Sequence, residues 1–464
     1  MEWFKILPPL VAVAIVIWKK EVILALALSI FVSECLLILD QSSLVPFYGS
    51  LNTLERIIAV FSDPGNTRIL IFSVMVGALL AYIRDSGGVT GLVKAITSRG
   101  LAKSSRQVSL LASFTGVVVF IESNLSVLTA GILSRGLFDK YGLSRAKLAY
   151  IIDSTSAPVC ILILLNAWGA YVLALLGPYD LGLSAAEILW GSVQFNFYAI
   201  LTLMVVFYSA YTGKYYGPLA RTTVHKRDTE TAENTGNEYV EQDSEDKAVF
   251  MVIPLLTMVL GMVGFMFWTG NGVLSQGNGS KSVLYATTLS CLVAYFMMLL
   301  SKRFTHHQLV KIGFNGMSEL LPLVAIVLLS LALGSSLKEL ETGIYISQIV
   351  GGFLPLYLVA PMIFVVAGII SFSTGTSWGT FAILIPIGVP IIQTMGLPPS
   401  FILAAILGGG VFGDHCSPIS DTTAVSSIAS GCDLLEHVKT QLPYALATGV
   451  VTILIYLLVG LIIL

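Results

Sequence analysis

Two aspartates and a histidine stand within eight residues of one another in Gly413-Asp414-His415-Cys416-Ser417-Pro418-Ile419-Ser420-Asp421-Thr422-Thr423, inside an otherwise apolar stretch. A carboxylate at the centre of a membrane span opposes insertion by roughly 2.5–3.5 kcal/mol, so each must be held by protein, water or an ion. Carboxylates and hydroxyls are hard oxygen ligands that suit Na⁺. A carboxylate among them also lets a proton compete for the same place, since the acid must be ionised to hold the cation. Asp414, Asp421 and His415 are therefore ion- or proton-coupling candidates, with Ser417 and Thr422 as cation ligands.

Three other polar interruptions share this character. Asp153-Ser154-Thr155-Ser156-Ala157-Pro158 adds Asp153 as a coupling acid and Ser154 and Thr155 as ligands. Glu122-Ser123-Asn124 adds Glu122, with Ser123 and Asn124. Ser373-Thr374-Gly375-Thr376-Ser377 contributes Ser373, Thr374 and Thr376. Backbone that leaves the helical conformation inside lipid survives only where it lines a cavity or binds something. Each residue also has a structural alternative. Asp414 and Asp421 suit helix N-termini, Asp153 suits capping or a cationic partner, and Glu122 a salt bridge. His415 suits a proton relay or a hydrogen-bond anchor, and the hydroxyls can bond their own helix or glue helices together. Glu34 reads as interfacial, and Asp433 and Glu436 as surface residues at a cytoplasmic exit. Gly408, Gly410 and Gly413 match G-x-G-x-x-G formally, but no βαβ pattern surrounds them, so close helix packing is the reading.

The elements that carry these residues are membrane spans. Of 464 residues, 56% are hydrophobic and 11% charged, with mean hydropathy +0.87. A soluble domain carries about 25% charged residues. Spans are expected at 6–18, 22–39, 69–83, 148–176, 195–211, 249–268, 283–300, 320–333, 401–430 and 443–464. The N-terminal apolar run, which ends in Lys19-Lys20 without a small-residue cleavage site, reads as a retained span. The five cysteines show no metal-ligand pairing. No P-loop pattern occurs and no nucleophile–base pair stands out, so ATP-driven transport and enzymatic catalysis are both disfavoured. No cofactor and no nucleic-acid partner is expected, and the lipid bilayer is the chain's solvent.

Lysine and arginine cluster in the loops 84–106, 135–147 and 302–311, which the positive-inside rule places in the cytoplasm. Both loops flanking 108–133 are basic, so that stretch should enter and leave on one side as a re-entrant hairpin with Ser123-Asn124 near its tip. The stretch 354–392 falls between two external loops and becomes a second hairpin from the opposite side. The fold expected is an all-α polytopic membrane protein with inverted repeats. Each repeat has about five spans plus a re-entrant hairpin, with broken helices at the midplane, an arrangement typical of secondary transporters. Residues 1–212 form the first repeat and 248–464 the second. The polar stretch 213–247 between them reads as a disordered cytoplasmic linker. Asp153 pairs with either Asp414 or Asp421 across the repeat.

The Gly413–Thr423 string resembles the signature of NhaC-type sodium/proton antiporters, within the wider ion transporter superfamily. Phe120-Ile121-Glu122-Ser123-Asn124 and Asp153-Ser154-Thr155-Ser156-Ala157-Pro158 resemble family segments too. The resemblance implies a multi-pass carrier of the bacterial inner membrane that moves Na⁺ and H⁺. An elevator-like movement of a transport body past a scaffold, and a homodimer, are also implied. Related members resemble malate/lactate exchangers or amino-acid carriers, so a small organic solute stands as the alternative cargo.

Overall fold

The computed structural model describes residues 3–39, 44–88, 91, 104–120, 123–164, 166–177, 179–222, 247–273 and 277–464. Among these residues there is no strand. Lipid cannot satisfy an open backbone, and a helix pairs its own N–H and C=O groups. Among the described residues, eight helices of 18 residues or more are apolar enough to cross a membrane, and a ninth span results if the pair bent by 45° at Asn196 is counted as one. The protein is a multi-pass membrane protein.

The first half runs α1 (Leu7–Lys19), α2 (Val22–Leu37), α3 (Val45–Ala59), α4 (Pro64–Asp85), α5 (Ser105–Val118), α6 (Ser123–Lys140), α7 (Arg145–Leu162), α8 (Ala167–Leu176), α9 (Ala185–Ser192) and α10 (Phe197–Thr212). The second runs α11 (Val249–Thr269), α12 (Gly279–Leu300), α13 (His306–Glu319), α14 (Leu321–Glu339), α15 (Thr342–Phe353), α16 (Val359–Thr374), α17 (Ser377–Met395), α18 (Pro399–Cys416), α19 (Asp421–Ser430) and α20 (Leu434–Ile463). Apart from α9 and α15, the same order recurs in each: two helices, an amphipathic one (α3, α13), a span, a helical hairpin (α5/α6, α16/α17), a broken span (α7/α8, α18/α19) and a closing helix. Packing recurs as well. α12 lies on α4 as α2 lies on α14, and α5 and α10 hold α7 as α16 and α20 hold α18.

The halves interlock rather than sit side by side. The second arm of each hairpin rests on the second piece of the other half's broken span, α6 on α19 and α17 on α8. Glycines permit the closest crossings. A Cβ on Gly413 of α18 would strike the Gly368 carbonyl of α16, which accounts for the glycine run as helix packing. The hairpins, the broken spans, α10 and α20 pack on one another, while α4 packs on α12 and α13, and α14 packs on α2, α3 and the hairpin arm α17.

Both hairpins and the break at 417–420 stand where the residue types place them. The first-half break does not. Asp153 to Pro158 is continuous helix within α7, and the chain leaves helical geometry only after Leu162. Proline removes one backbone donor, but it lies near the C-terminal end of α7, where the helix is about to stop. The break holds Asn166 instead, so Asp153 stands nine residues before the end of its helix and Asp414 two before the end of its own. The two acids are not counterparts in the repeat.

Glu34 also departs from its interfacial reading. It is buried, paired with Arg56 at 2.7 Å, and accepts a hydrogen bond from Ser336 Oγ at 2.7 Å, tying α2 to α3 and α14. Residues 213–222, expected to open the linker, are anchored at two points: Leu219 is buried and the Tyr216 N–H donates to Tyr444 Oη at 2.6 Å. Residues 223–246 lie outside the described residues.

Candidate functional site

Three helix ends converge on Asp414. It lies in the last turn of α18 and is fully buried. Its Oδ2 accepts hydrogen bonds from Ser377 Oγ, at the first residue of α17, at 3.1 Å and from Thr422 Oγ1, at the start of α19, at 3.2 Å. Among the described residues its Oδ1 has no partner within hydrogen-bond geometry, with Ser420, the N-cap of α19, as a further neighbouring hydroxyl. Two helix N-termini therefore point their N–H ends toward the carboxylate, while α18 brings its C-terminal carbonyls. Hydroxyls are adaptable neighbours here: each donates to the bare carboxylate, yet can turn a lone pair to a cation. Half-helix ends of both signs at one buried acid make a site that can accept a small cation or a proton.

Asp421, the first residue of α19, is exposed and lines a cavity of about 290 Å³. Asn124 at the start of α6 and Thr376 at the N-cap of α17 line it too, opposite Ser73 and Val76 of α4 and Leu323 of α14. Thr422, next in sequence to Asp421, links the cavity wall to Asp414. The structure thus brings Asp414, Asp421, Thr422, Thr376 and Asn124 to one place, together with Ser377, which the sequence reading had not assigned as a ligand.

Other candidates go elsewhere. Ser373 and Thr374 donate to Ile369 and Ile370 carbonyls of their own helix, and Thr155 to Ile151. Ser417 donates to the Phe372 carbonyl at 2.8 Å and so clamps the second hairpin. Ser123 is buried at the start of α6. Glu122 lies outside the described residues. Gly375, at φ +69°, lets the second hairpin turn in the left-handed region, where a Cβ would also strike the Ile419 carbonyl.

Asp153 belongs to a second cluster. Its Oδ2 accepts from Gln441 Nε2 at 2.6 Å and lies 3.3 Å from His437 Nε2, both on α20. Gln441 Nε2 also donates to the His415 carbonyl at 3.1 Å. His415 Nδ1 pairs with Tyr198 Oη at 3.0 Å. Ser154 and His415 line a small pocket with Tyr198, Thr202 and Gln441. His437, Gln441 and Tyr198 escaped the sequence reading. The four-residue spacing of His437 and Gln441 was the available signal, hidden because the span was begun at Pro443.

A family model described as the Na⁺/H⁺ antiporter family matches residues 159–461, which hold Asp414, Asp421 and the second hairpin. The chain belongs to the Na⁺/H⁺ antiporter family. Among family-level relatives, an uncharacterized protein of Haemophilus influenzae is 30% identical over 98% of this chain and 91% of its own length. The malate-2H⁺/Na⁺-lactate antiporter of Bacillus subtilis is 36% identical over 24% of this chain and 26% of its own. In fold, the antiporter-family chain is similar to Neisseria gonorrhoeae MtrF, described as illuminating a class of antimetabolite efflux pumps. The TM-score is 0.59 at 12% identity, over 90% of this chain and 85% of that one. Family and fold together make this protein a secondary transporter.

Proposed function

We propose that this transporter exchanges Na⁺ for H⁺ across a bacterial inner membrane, exporting sodium by alternating access. Asp414 carries the reading. A fully buried carboxylate that is met by hydroxyls and, among the described residues, has no cationic partner favours a cation or a proton as its occupant. Na⁺ reaches it from the cavity past Asp421, whose charge draws cations in. Protonation of Asp414 discharges the site and expels Na⁺, and ionisation readmits it, so one group couples opposite movements. The hairpins, broken spans, α10 and α20 would carry the site past α4 and α14, whose side chains form the cavity's far wall. Vesicle flux tests this: addition of Na⁺ to everted vesicles should alkalinise the lumen, and Asp414→Asn should abolish the effect. Wild-type vesicles in which an organic acid, but neither Na⁺ nor Li⁺, moves protons would overturn it.

A second reading rests on a separate cavity of about 840 Å³ at the opposite ends of α4 and α14, bordered by Arg68, Lys281 and Lys338 as well as Asp63. Excess positive charge there suits a small carboxylate better than a cation. Under this reading the Asp414 site takes the coupling ion and the solute enters by the basic vestibule. Thermal stabilisation by lactate or malate that depends on Na⁺ would favour it over simple exchange.

A further inference from the structure

We infer that Tyr171 is a positioning residue for the cation site: its hydroxyl, acting through the main chain of Trp378, sets where Ser377 stands against Asp414. The inference rests on the exchange reading above and deepens it. Two helix N-termini meet Asp414, and they are secured differently. That of α19 is held by its own cap, Ser420 Oγ accepting from the Thr423 N–H at 3.3 Å. Among the described residues, Thr376, the N-cap of α17, accepts no such bond on its side chain. A cap is what ordinarily fixes the first turn of a helix, and the first turn of α17 is the one that carries Ser377.

The tie comes instead from the other half of the chain. Tyr171, on α8, is buried, and its Oη donates to the Trp378 carbonyl, one residue after Ser377, at 2.8 Å. A carbonyl has two lone pairs, so this bond adds to the helix ladder without displacing it. Aromatic packing fixes the approach. The rings of Tyr171 and Trp168 lie 4.7 and 5.1 Å from that of Trp378, and Trp168 also meets Phe381 at 5.9 Å, so α8 covers the start of α17 with two side chains. Tyr171 and Trp378 line the cavity of about 290 Å³ together with Thr376 and Asp421. The tie therefore stands on the route by which a cation reaches Asp414.

A second bond onto α17 provides the comparison. Pro386 has no N–H to give the Ala382 carbonyl, and Ser330 Oγ of α14 donates to that carbonyl instead. Ala382 lies one turn farther along α17 from Ser377. Both hydroxyls hold the helix, but only Tyr171 holds the turn that bears the ligand. Site groups must stand within about 0.5 Å of the working geometry. Without the Tyr171 bond the first turn of α17 shifts, and Ser377 serves Asp414 and its cation less well.

The test measures Na⁺ binding to the purified full chain in detergent by calorimetry, for wild type, Tyr171→Phe, Ser377→Ala, the double variant and Ser330→Ala. Tyr171→Phe should raise Kd about fivefold, and the double variant should match the roughly tenfold loss of Ser377→Ala instead of reaching the roughly 50-fold of independent effects. Ser330→Ala should keep the wild-type Kd within about twofold. A wild-type Kd in Tyr171→Phe overturns the inference, as does a double variant whose losses multiply, or a Ser330→Ala variant as weak as Tyr171→Phe. Wild type that binds Na⁺ without moving protons in vesicles overturns the exchange reading alone, and wild type that binds no Na⁺ overturns both. If Tyr171→Phe does not fold, hydrogen exchange of the unmodified protein decides. Protection by Na⁺ of residues 377–382 together with 167–176 supports the inference. Protection of 377–382 alone, or of neither segment, overturns it.

Discussion

The side-chain amide of Asn166 donates to the main-chain carbonyl of Phe120 at 2.9 Å, so that the break between α7 and α8 holds the end of the first hairpin's entering arm. The second half repeats the device with Ser417, which donates from the break between α18 and α19 to the Phe372 carbonyl at 2.8 Å. Where a re-entrant arm stops in the membrane its last carbonyls lose their helical partners. In both halves the broken span supplies one. Hairpin tip and broken helix are thereby fixed to each other, and the candidate site is built across that junction.

Asn166→Ala should consequently destabilise the protein more than Ser417→Ala. Asn166 serves Phe120 and Cys160 carbonyls and accepts from the Gly169 N–H. Ser417 serves Phe372. With about 1 kcal/mol per buried hydrogen bond, losses of roughly 2–3 and 1 kcal/mol are expected. Melting of the purified protein in detergent measures both.

Removing one hydroxyl at the acid should weaken sodium binding without abolishing it. Ser377→Ala and Thr422→Ala are each expected to raise KM for Na⁺ about tenfold, which corresponds to about 1.4 kcal/mol. Asp414→Asn should reduce exchange by at least about 100-fold. Asp421→Asn, on the cavity wall, should raise KM by a smaller factor, and more at low than at high ionic strength. Initial-rate flux at a series of Na⁺ concentrations separates these outcomes.

Competition fixes the sign of the pH effect on affinity. The proton displaces Na⁺ from the ionised acid, so KM for Na⁺ should rise as pH falls, approaching about tenfold per pH unit where one proton competes. Flux measured at several pH values checks this. A KM that falls with decreasing pH would reject competition at Asp414.

The Glu34–Arg56 pair should matter to stability and not to selectivity. Glu34 is 3% exposed, and Glu34→Ala leaves Arg56 with Glu339 and the Ser335 hydroxyl but without its buried carboxylate. A loss of about 3 kcal/mol is expected from breaking a buried pair. The ratio of Na⁺ to Li⁺ transport should be unchanged, since neither residue lines the cavity that holds Asp421. Melting and parallel flux assays decide it.

Gly413→Ala should prevent α18 from seating on α16. The added Cβ meets the Gly368 backbone, which cannot yield as a side chain can. Overpacking of this kind costs about 1–3 kcal/mol, and here a low yield of folded protein is the expected readout.

The sequence by itself determined that this chain lives in a membrane, that its helices turn back at two hairpins, and that Gly413 to Thr423 is a candidate site. Those features are local. A charge in lipid is costly wherever the helices go, and a helix-breaking Ser-Thr-Gly run declares itself without reference to its neighbours. What only the tertiary structure decided concerns partners far apart in the chain. It separated Asp153 from Asp414, because a continuous α7 moved the break to Asn166. It gave Asp153 the company of His437 and Gln441, and Asp414 that of Ser377. It also turned Glu34 from an interfacial residue into a buried ion pair. Periodicity and composition report what a residue is and which helix bears it, but a side chain's chemistry is set by the atoms packed against it. In this fold those atoms come from the other arm of a hairpin or the other half of the repeat.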